Sequence, residues 1–348
     1  MKKEREAMAR ALYYEGNKTV TIGEAASVPP GPGEVKIRVA YAGICGTDLH
    51  IYQGHMDQRV TAPQTIGHEM SGIVEEIGAG VEGLRVGDRV TVMPLHPCGD
   101  CPACEAGHGH ICHNLKFLGI ETPGAFQTFW TVPAFAVLPI SDSLGLKTAA
   151  MLEPLAVACH DVRIGQVKKG ECAVVIGGGP IGALIAMTAR ERGARVLVSE
   201  INPHRLELLR RLGFETVNPI EADPVELVSC MTGGAGADVV FEVTSSQAGA
   251  ELMTKLPRTR GRIVVVGIFA KPPAVDLHRF FWRELQLFGA RVYEREDFVK
   301  AIELADSGRL PLDALITDVL PLERAAEGFK TMESGGSAMK IVLRCGVH

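Results

Sequence analysis

Residues 173–182 read A-V-V-I-G-G-G-P-I-G, and an alanine-rich stretch of helix length follows. A buried strand that runs straight into a G-x-G-x-x-G turn and then a helix leaves few folds open. Gly177 permits the tight turn, Gly179 lets an anionic group approach the backbone, and Gly182 lets helix pack closely on strand. Pro180 and Ile181 open the helix, whose first N–H groups and positive dipole end suit a pyrophosphate. The alternation continues downstream. Residues 172–177, 195–199, 238–243 and 262–267 read as nearly continuous buried strands, and 181–192, 203–212 and 224–231 as the helices between them. This implies α/β architecture with a parallel, doubly wound sheet of the Rossmann type.

The second strand of that series ends in Glu200, eighteen residues past Gly182. A carboxylate there accepts hydrogen bonds from the adenosine ribose hydroxyls and repels a 2′-phosphate, so NAD is expected rather than NADP. Arg205 either stacks on adenine or tolerates the phosphate; spacing leaves both open.

The first 150 residues have a different texture, rich in Gly, Pro and short β-branched runs. Residues 35–41 alternate in period two, and 72–77, 89–92 and 126–132 add short strands. The expected organisation is a β-rich domain over 1–157, a dinucleotide-binding domain over 158–290, and a return to the first domain over 291–348. Residues 1–7 read as a disordered extension, with Met8 an alternative start. No apolar core follows the charged start, so no secretory signal is expected. Hydrophobic residues make up 46% of the chain and the formal charge is −5. Neither a membrane span nor a nucleic-acid-binding face is expected.

Cys98, Cys101, Cys104 and Cys112 stand two, two and seven residues apart. Four soft thiolates at that spacing suit a tetrahedral Zn²⁺ with no open position, hence a structural ion. The chain has nine cysteines. Reduced thiols and metal sites in a cytoplasmic protein are expected, with Cys159, Cys172, Cys230 and Cys345 as small buried hydrophobes. His96, His108, His110 and His113 surround the cysteine lobe and read as surface residues. A second ligand set is scattered: Cys45 in C-G-T-D-L-H, His68-Glu69 after Gly67, and Glu153-Pro154 in an otherwise apolar run. A thiolate, an imidazole and a carboxylate suit a catalytic Zn²⁺ with its fourth position open, but each residue also has a bland reading as core or surface.

The pattern G-H-E-x₂-G-x₅-G-x₂-V over 67–81 resembles the zinc-site signature of the medium-chain alcohol dehydrogenases. C-G-T-D-L-H at 45–50, V-G-D-R-V at 86–90, the four-cysteine lobe and the glycine fingerprint follow in the family's order, across essentially the whole chain. The resemblance implies a GroES-like catalytic domain, an inserted Rossmann domain, and dimers or tetramers joined through the Rossmann sheets. It implies two zinc ions per chain, the catalytic one bound by Cys45, His68 and Glu69. Glu153-Pro154 is similar to the polyol and secondary-alcohol branch, which includes sorbitol, xylitol, butanediol and threonine dehydrogenases. Glu153 is then a ligand or a neighbour of the ligands. Thr47 and His50 resemble the family's proton relay from the alcohol, through the cofactor ribose, to solvent.

For the substrate pocket the resemblance points to Ile51, Tyr52, Phe117 and Arg291. Sorbitol dehydrogenases carry an aromatic residue where this chain has Ile51, which counts against sorbitol itself. A threonine substrate needs a cation for its carboxylate, and the loop G-I-E-T-P-G at 119–124 supplies none; Arg291 or Arg295 remain. A neutral polyol or vicinal diol oxidised at a secondary carbon is expected, with threonine or a sugar acid as the alternative.

Overall fold

The structure is a computed structural model and describes residues 9–346; the expected disordered extension over 1–7 lies outside the described residues. The chain divides into two compact units. One runs to Glu153 and resumes at Ala301; the other is Pro154–Lys300.

The first unit is built on a seven-stranded sheet. Its order is Ile316–Pro321, Lys340–Arg344, Glu34–Gly43, Glu69–Ile77, Arg89–Val92 and Val137–Pro139, with Phe129–Pro133 also pairing Glu34–Gly43. A hairpin of Arg10–Gly16 and Thr19–Glu24 precedes it. Glu34–Gly43 is the hub, antiparallel to Lys340–Arg344 on one side and to Glu69–Ile77 on the other. In those registers Gly43 lies opposite both Val342 and Glu69. Three distant segments, near residues 45, 69 and 340, thereby end side by side. Gly43 must lack a side chain there, because a Cβ would run into the Glu69 carboxylate.

The Glu69–Ile77 strand begins three residues earlier than the sequence suggests. Gly72 reads as punctuation, yet it sits inside the strand where a Cβ would come 2.5 Å from the carbonyl oxygen of Arg38. It marks close backbone approach rather than a strand end.

The second unit is a six-stranded parallel sheet, ordered Glu215–Val217, Arg195–Ser199, Cys172–Ile176, Ala237–Glu242, Pro257–Val265 and Gln286–Gly289. Cys172–Ile176 is buried throughout, as a strand covered on both faces requires. Helices Pro180–Glu191, Pro203–Arg211 and Pro224–Met231 each have proline at the start, where its missing N–H costs nothing. One sequence expectation fails: Cys230 is exposed rather than buried, at the outer end of the last of these helices. Among the described residues no helix is long and apolar enough to cross a membrane.

Candidate metal centre and dinucleotide site

Helix Gly46–Tyr52 opens directly after Cys45, and its third residue, Asp48, is fully buried. Asp48 Oδ2 accepts a hydrogen bond from the Cys45 backbone N–H at 2.9 Å, which fixes the turn bearing the thiol. Its other oxygen faces Nδ1 of buried His68 at 3.6 Å, and neither of those two atoms has a hydrogen-bond partner. A metal-ligating histidine generally turns its second ring nitrogen to a carboxylate in this way. The ligand atoms of Cys45, His68 and Glu69 lie within 4.8 Å of one another. Burial disfavours the His68 cation, but Asp48 and the Cys45 sulfur outweigh it and hold its pKa well above the ordinary value. A small cation among these donors would displace that proton and answer the same negative charge. The donor set therefore fits Zn²⁺.

Glu69 is not a bare carboxylate. Buried Lys340 donates to both of its oxygens, at 2.8 and 2.5 Å, and to the Ile44 carbonyl at 3.3 Å. Burial pulls the Lys340 pKa down, yet Glu69, Cys45 and Glu153 together keep it above the ordinary lysine value. Glu153 is thus close enough to be felt at the site. It is buried in the first turn of helix Leu152–Ile164, outside the 4.8 Å cluster.

Of the remaining expected residues in this unit, Phe117 is buried edge-on to the His68 ring, with centroids 5.2 Å apart. Ile51 is fully buried and Tyr52 stacks against Phe329. Thr47 is half-buried and His50 exposed on the same short helix.

The four-cysteine lobe is equally well formed. Its sulfurs fall within 4.8 Å of one another, with Cys98–Cys112, Cys101–Cys112 and Cys98–Cys104 at 3.4, 3.7 and 4.0 Å. A tetrahedron of Zn–S bonds near 2.3 Å spaces its sulfurs by roughly 3.8 Å. Backbone N–H groups of Cys98 and Asn114 point at Cys112 Sγ. Those of Cys104 and His113 draw the Cys101 thiol down to about 6. His108 and His113 are exposed, His96 and His110 half-buried.

In the second unit Gly177 has φ +102, and a Cβ on Gly182 would strike the Gly177 carbonyl. Above Gly179, which caps helix Pro180–Glu191, the nearest atom to a built Cβ is the Arg205 guanidinium at 3.5 Å. Glu200 Oε2 accepts from the Gly178 N–H at 2.8 Å, and Oε1 accepts from Ile201 and Asn202 N–H at 2.7 and 2.8 Å. A carboxylate has about four acceptor positions, so one is left for a ribose hydroxyl. Arg205 lies 3.9 Å from Glu200, and its buried Nε has no partner. This turn fits a dinucleotide. Arg291 is exposed on the same unit.

A family profile described as the alcohol dehydrogenase GroES-like domain matches residues 31–142, and one described as zinc-binding dehydrogenase matches 180–307. The 2-dehydro-3-deoxy-L-galactonate 5-dehydrogenase of Pseudoalteromonas atlantica is 51% identical, over 96% of this chain and 98% of its own. The chain belongs to the zinc-dependent medium-chain alcohol dehydrogenases. Within that family, the sorbitol dehydrogenase of Halalkalibacterium halodurans is 34% identical over 90% of this chain and 92% of its own. The crystal structure of 2R,3R-butanediol dehydrogenase from Bacillus subtilis superposes with a TM-score of 0.89 at 32% identity, covering 97% and 99% of the two chains. The fold expected from the zinc-site and glycine motifs is therefore the family's own.

Sequence reasoning missed two residues of this medium-chain dehydrogenase site, Asp48 and Lys340. Both had a signal. Asp48 stands three residues after Cys45, at the helix position whose carboxylate reaches back to the preceding N–H. Lys340 is followed in its strand by three buried apolar residues, and a lysine in a buried stretch demands a buried anion.

Proposed function

We propose that this dehydrogenase oxidises a secondary alcohol to a ketone with hydride transfer to NAD, reversibly. The observation that supports this best is the Cys45–His68–Glu69 cluster, in which His68 and Glu69 are buried, braced by Asp48 and Lys340. Bound there, Zn²⁺ would supply a Lewis acid that makes the substrate hydroxyl easier to deprotonate, while NAD would accept the hydride. Cys45 and Glu69 bring negative charge that a dication needs, and His68 is aimed by Asp48. Thr47 and His50, three residues apart on one short helix, receive the alcohol's proton and pass it towards solvent. Glu153 contributes a further buried carboxylate beside the cluster.

The four-cysteine lobe holds a second, structural zinc, with no open position for chemistry. Glu200 sets NAD over NADP, because a 2′-phosphate would be brought against a carboxylate already anchored by three backbone N–H groups. The protein works in the cytoplasm as a dimer or tetramer.

For the substrate, a polyhydroxylated chain with a reacting secondary hydroxyl fits this chemistry, whether a neutral polyol, a vicinal diol or a sugar acid. A specific observation favours the sugar acid. The relative that is 51% identical is named for oxidising a 2-dehydro-3-deoxy sugar acid. The test is NADH formation, with NADP⁺ in parallel, from 2-dehydro-3-deoxy-L-galactonate, sorbitol, xylitol, butane-2,3-diol and L-threonine, with and without a strong zinc chelator. Chelator-sensitive, NAD-preferring turnover of one polyhydroxylated substrate is expected. Turnover that survives complete zinc removal would take the metal out of the reading.

A further inference from the structure

Across from the glycine turn stands a second carboxylate, which the dinucleotide site as described does not use. Glu242 ends the strand Ala237–Glu242 and is fully buried. That strand pairs in parallel with Cys172–Ile176, with Glu242 opposite Ile176. From these two neighbours the chain departs in opposite directions across the sheet, to Arg195–Ser199 on one side and Pro257–Val265 on the other. The space beyond their carboxyl ends is where open parallel sheets receive ligands. One wall is the turn beginning at Gly177. The other is the segment that follows Glu242.

Glu242 dictates the shape of that segment. Its Oε1 accepts from the Thr244 backbone N–H at 2.9 Å and from the Thr244 hydroxyl, and its Oε2 accepts from the Ser245 N–H at 3.1 Å. Ser245 is held at φ +52, an uncommon conformation for a residue with a side chain. Two glycines make room. A Cβ on Gly267 would stand 2.8 Å from Glu242 Oε2, and one on Gly249 would run into Oε1. The Thr244 hydroxyl also meets Ser246 Oγ at 2.8 Å, and Ser246 Oγ accepts from the Gly249 N–H at 2.9 Å to cap the next helix. Thr244 therefore has its backbone N–H, its hydroxyl and its following turn fixed. Its Cγ2 is left against the first fingerprint glycine, 2.8 Å from where a Gly177 Cβ would be.

We propose that Glu242 is a positioning residue for the dinucleotide. It fixes Thr244 as the wall facing the Gly177 turn and so sets the width of the crevice that receives the cofactor. The inference rests on the dinucleotide reading of this unit. Glu242 touches no reacting atom, so its removal should weaken cofactor binding while leaving the zinc cluster and the chemical step intact.

The experiment compares the wild-type holoenzyme with Glu242→Gln and Thr244→Ser. It measures NADH dissociation by fluorescence titration, KM for NAD, kcat at saturating NAD, and zinc per chain. Gln keeps the size of Glu but sets an NH₂ against one of the buried N–H groups, so NADH binding should weaken about tenfold. KM for NAD should rise in parallel, with kcat and zinc content close to wild type, the pattern of lost uniform binding. Thr244→Ser keeps the hydroxyl that Glu242 holds and removes only Cγ2. It should fold and weaken NADH by a smaller factor, which decides the matter if Glu242→Gln does not fold. Unchanged NADH binding in Thr244→Ser, or equal losses of kcat, zinc and cofactor in Glu242→Gln, would overturn the proposal while leaving the dinucleotide reading in place. Wild-type protein that binds neither NADH nor NADPH would overturn both.

Discussion

Lys340 gives the sharpest residue-level test, because its ammonium and the Glu69 carboxylate are both almost fully buried and hydrogen-bonded to each other. Such a pair adds little over well-packed apolar residues, but removing one partner strands a buried charge at about 3–5 kcal/mol. Lys340→Met should lower unfolding free energy by that order in metal-stripped protein, measured by urea denaturation. The loss should shrink in zinc-replete protein, where Glu69 has a second cation to face. Equal losses in both would argue that Glu69 does not meet the metal. Cys45→Ser asks a separate question, since it removes a thiolate and leaves the Lys340–Glu69 pair alone. Turnover should vanish while NADH still binds, and a variant that retains turnover would remove this cluster from the chemistry. Cys45, His68 and Glu69 stand out in the sequence through their resemblance to the family's zinc-site signature, since each alone also reads as core or surface. Asp48 and Lys340 were harder to read. His68 and Glu69, which they face, come beside them only through the pairing of 340–344, 34–43 and 69–77, a register that the local signals at Asp48 and Lys340 do not give.

At the scale of elements, strands that are buried on both faces were read well, because continuous Val/Ile runs have few other uses. The short strands Glu215–Val217 and Gln286–Gly289 lie at the two edges of the parallel sheet, where weaker burial leaves a weaker pattern. Helix Leu152–Ile164 was legible only as an apolar run around Glu153, since it is buried almost all round. Its polar residues explain themselves only in three dimensions. His160 and Arg163 hydrogen-bond buried Asp297 at 2.8 and 2.7 Å, from helix Arg295–Asp306. Burial works against the Asp297 carboxylate, but Arg163 and His160 hold its pKa below the ordinary range, so its contribution is present above about pH 4 and is lost in acid. Asp161, on the same helix, behaves oppositely. Burial and then the charge of Asp297 raise its pKa well above the ordinary value, and its Oδ2 has no hydrogen-bond partner. Its favourable contribution is complete below about pH 4 and drains away as pH rises towards the folded value, by roughly 1.4 kcal/mol per pH unit. Asp161→Asn keeps the shape and removes the titration. It should raise Tm at pH 8 and flatten the fall of Tm between pH 5 and 8. A Tm profile parallel to wild type would mean Asp161 ionises freely in the fold.

At the scale of the whole molecule, the strand Gln286–Gly289 is one of the two edges of the second unit's sheet among the described residues. Gln286–Gly289 pairs on one side only, and Leu287 is half-exposed. The preceding helix, Leu277–Arg283, has no buried residue, and Phe281 and Trp282 are 76% and 69% exposed. An unpaired edge strand beside exposed aromatics is a liability in a lone chain, because it offers free backbone hydrogen-bonding groups and apolar area to any passing strand. Pairing the edge with a second copy satisfies both at once, and symmetric dimers are the commonest way for chains to do so. The expectation of a dimer or tetramer joined through these sheets thus meets a surface that needs covering. Sedimentation velocity at micromolar concentration should give a dimer or a multiple of it. Leu287→Lys and Trp282→Glu should each shift the protein towards smaller species, since a buried lysine or glutamate at a self-complementary contact is counted twice. Zinc content should not change, because both cysteine-containing sites belong to the other unit. A wild-type monomer, or variants that sediment like wild type, would leave this edge exposed in solution and send the search for the self-association surface elsewhere.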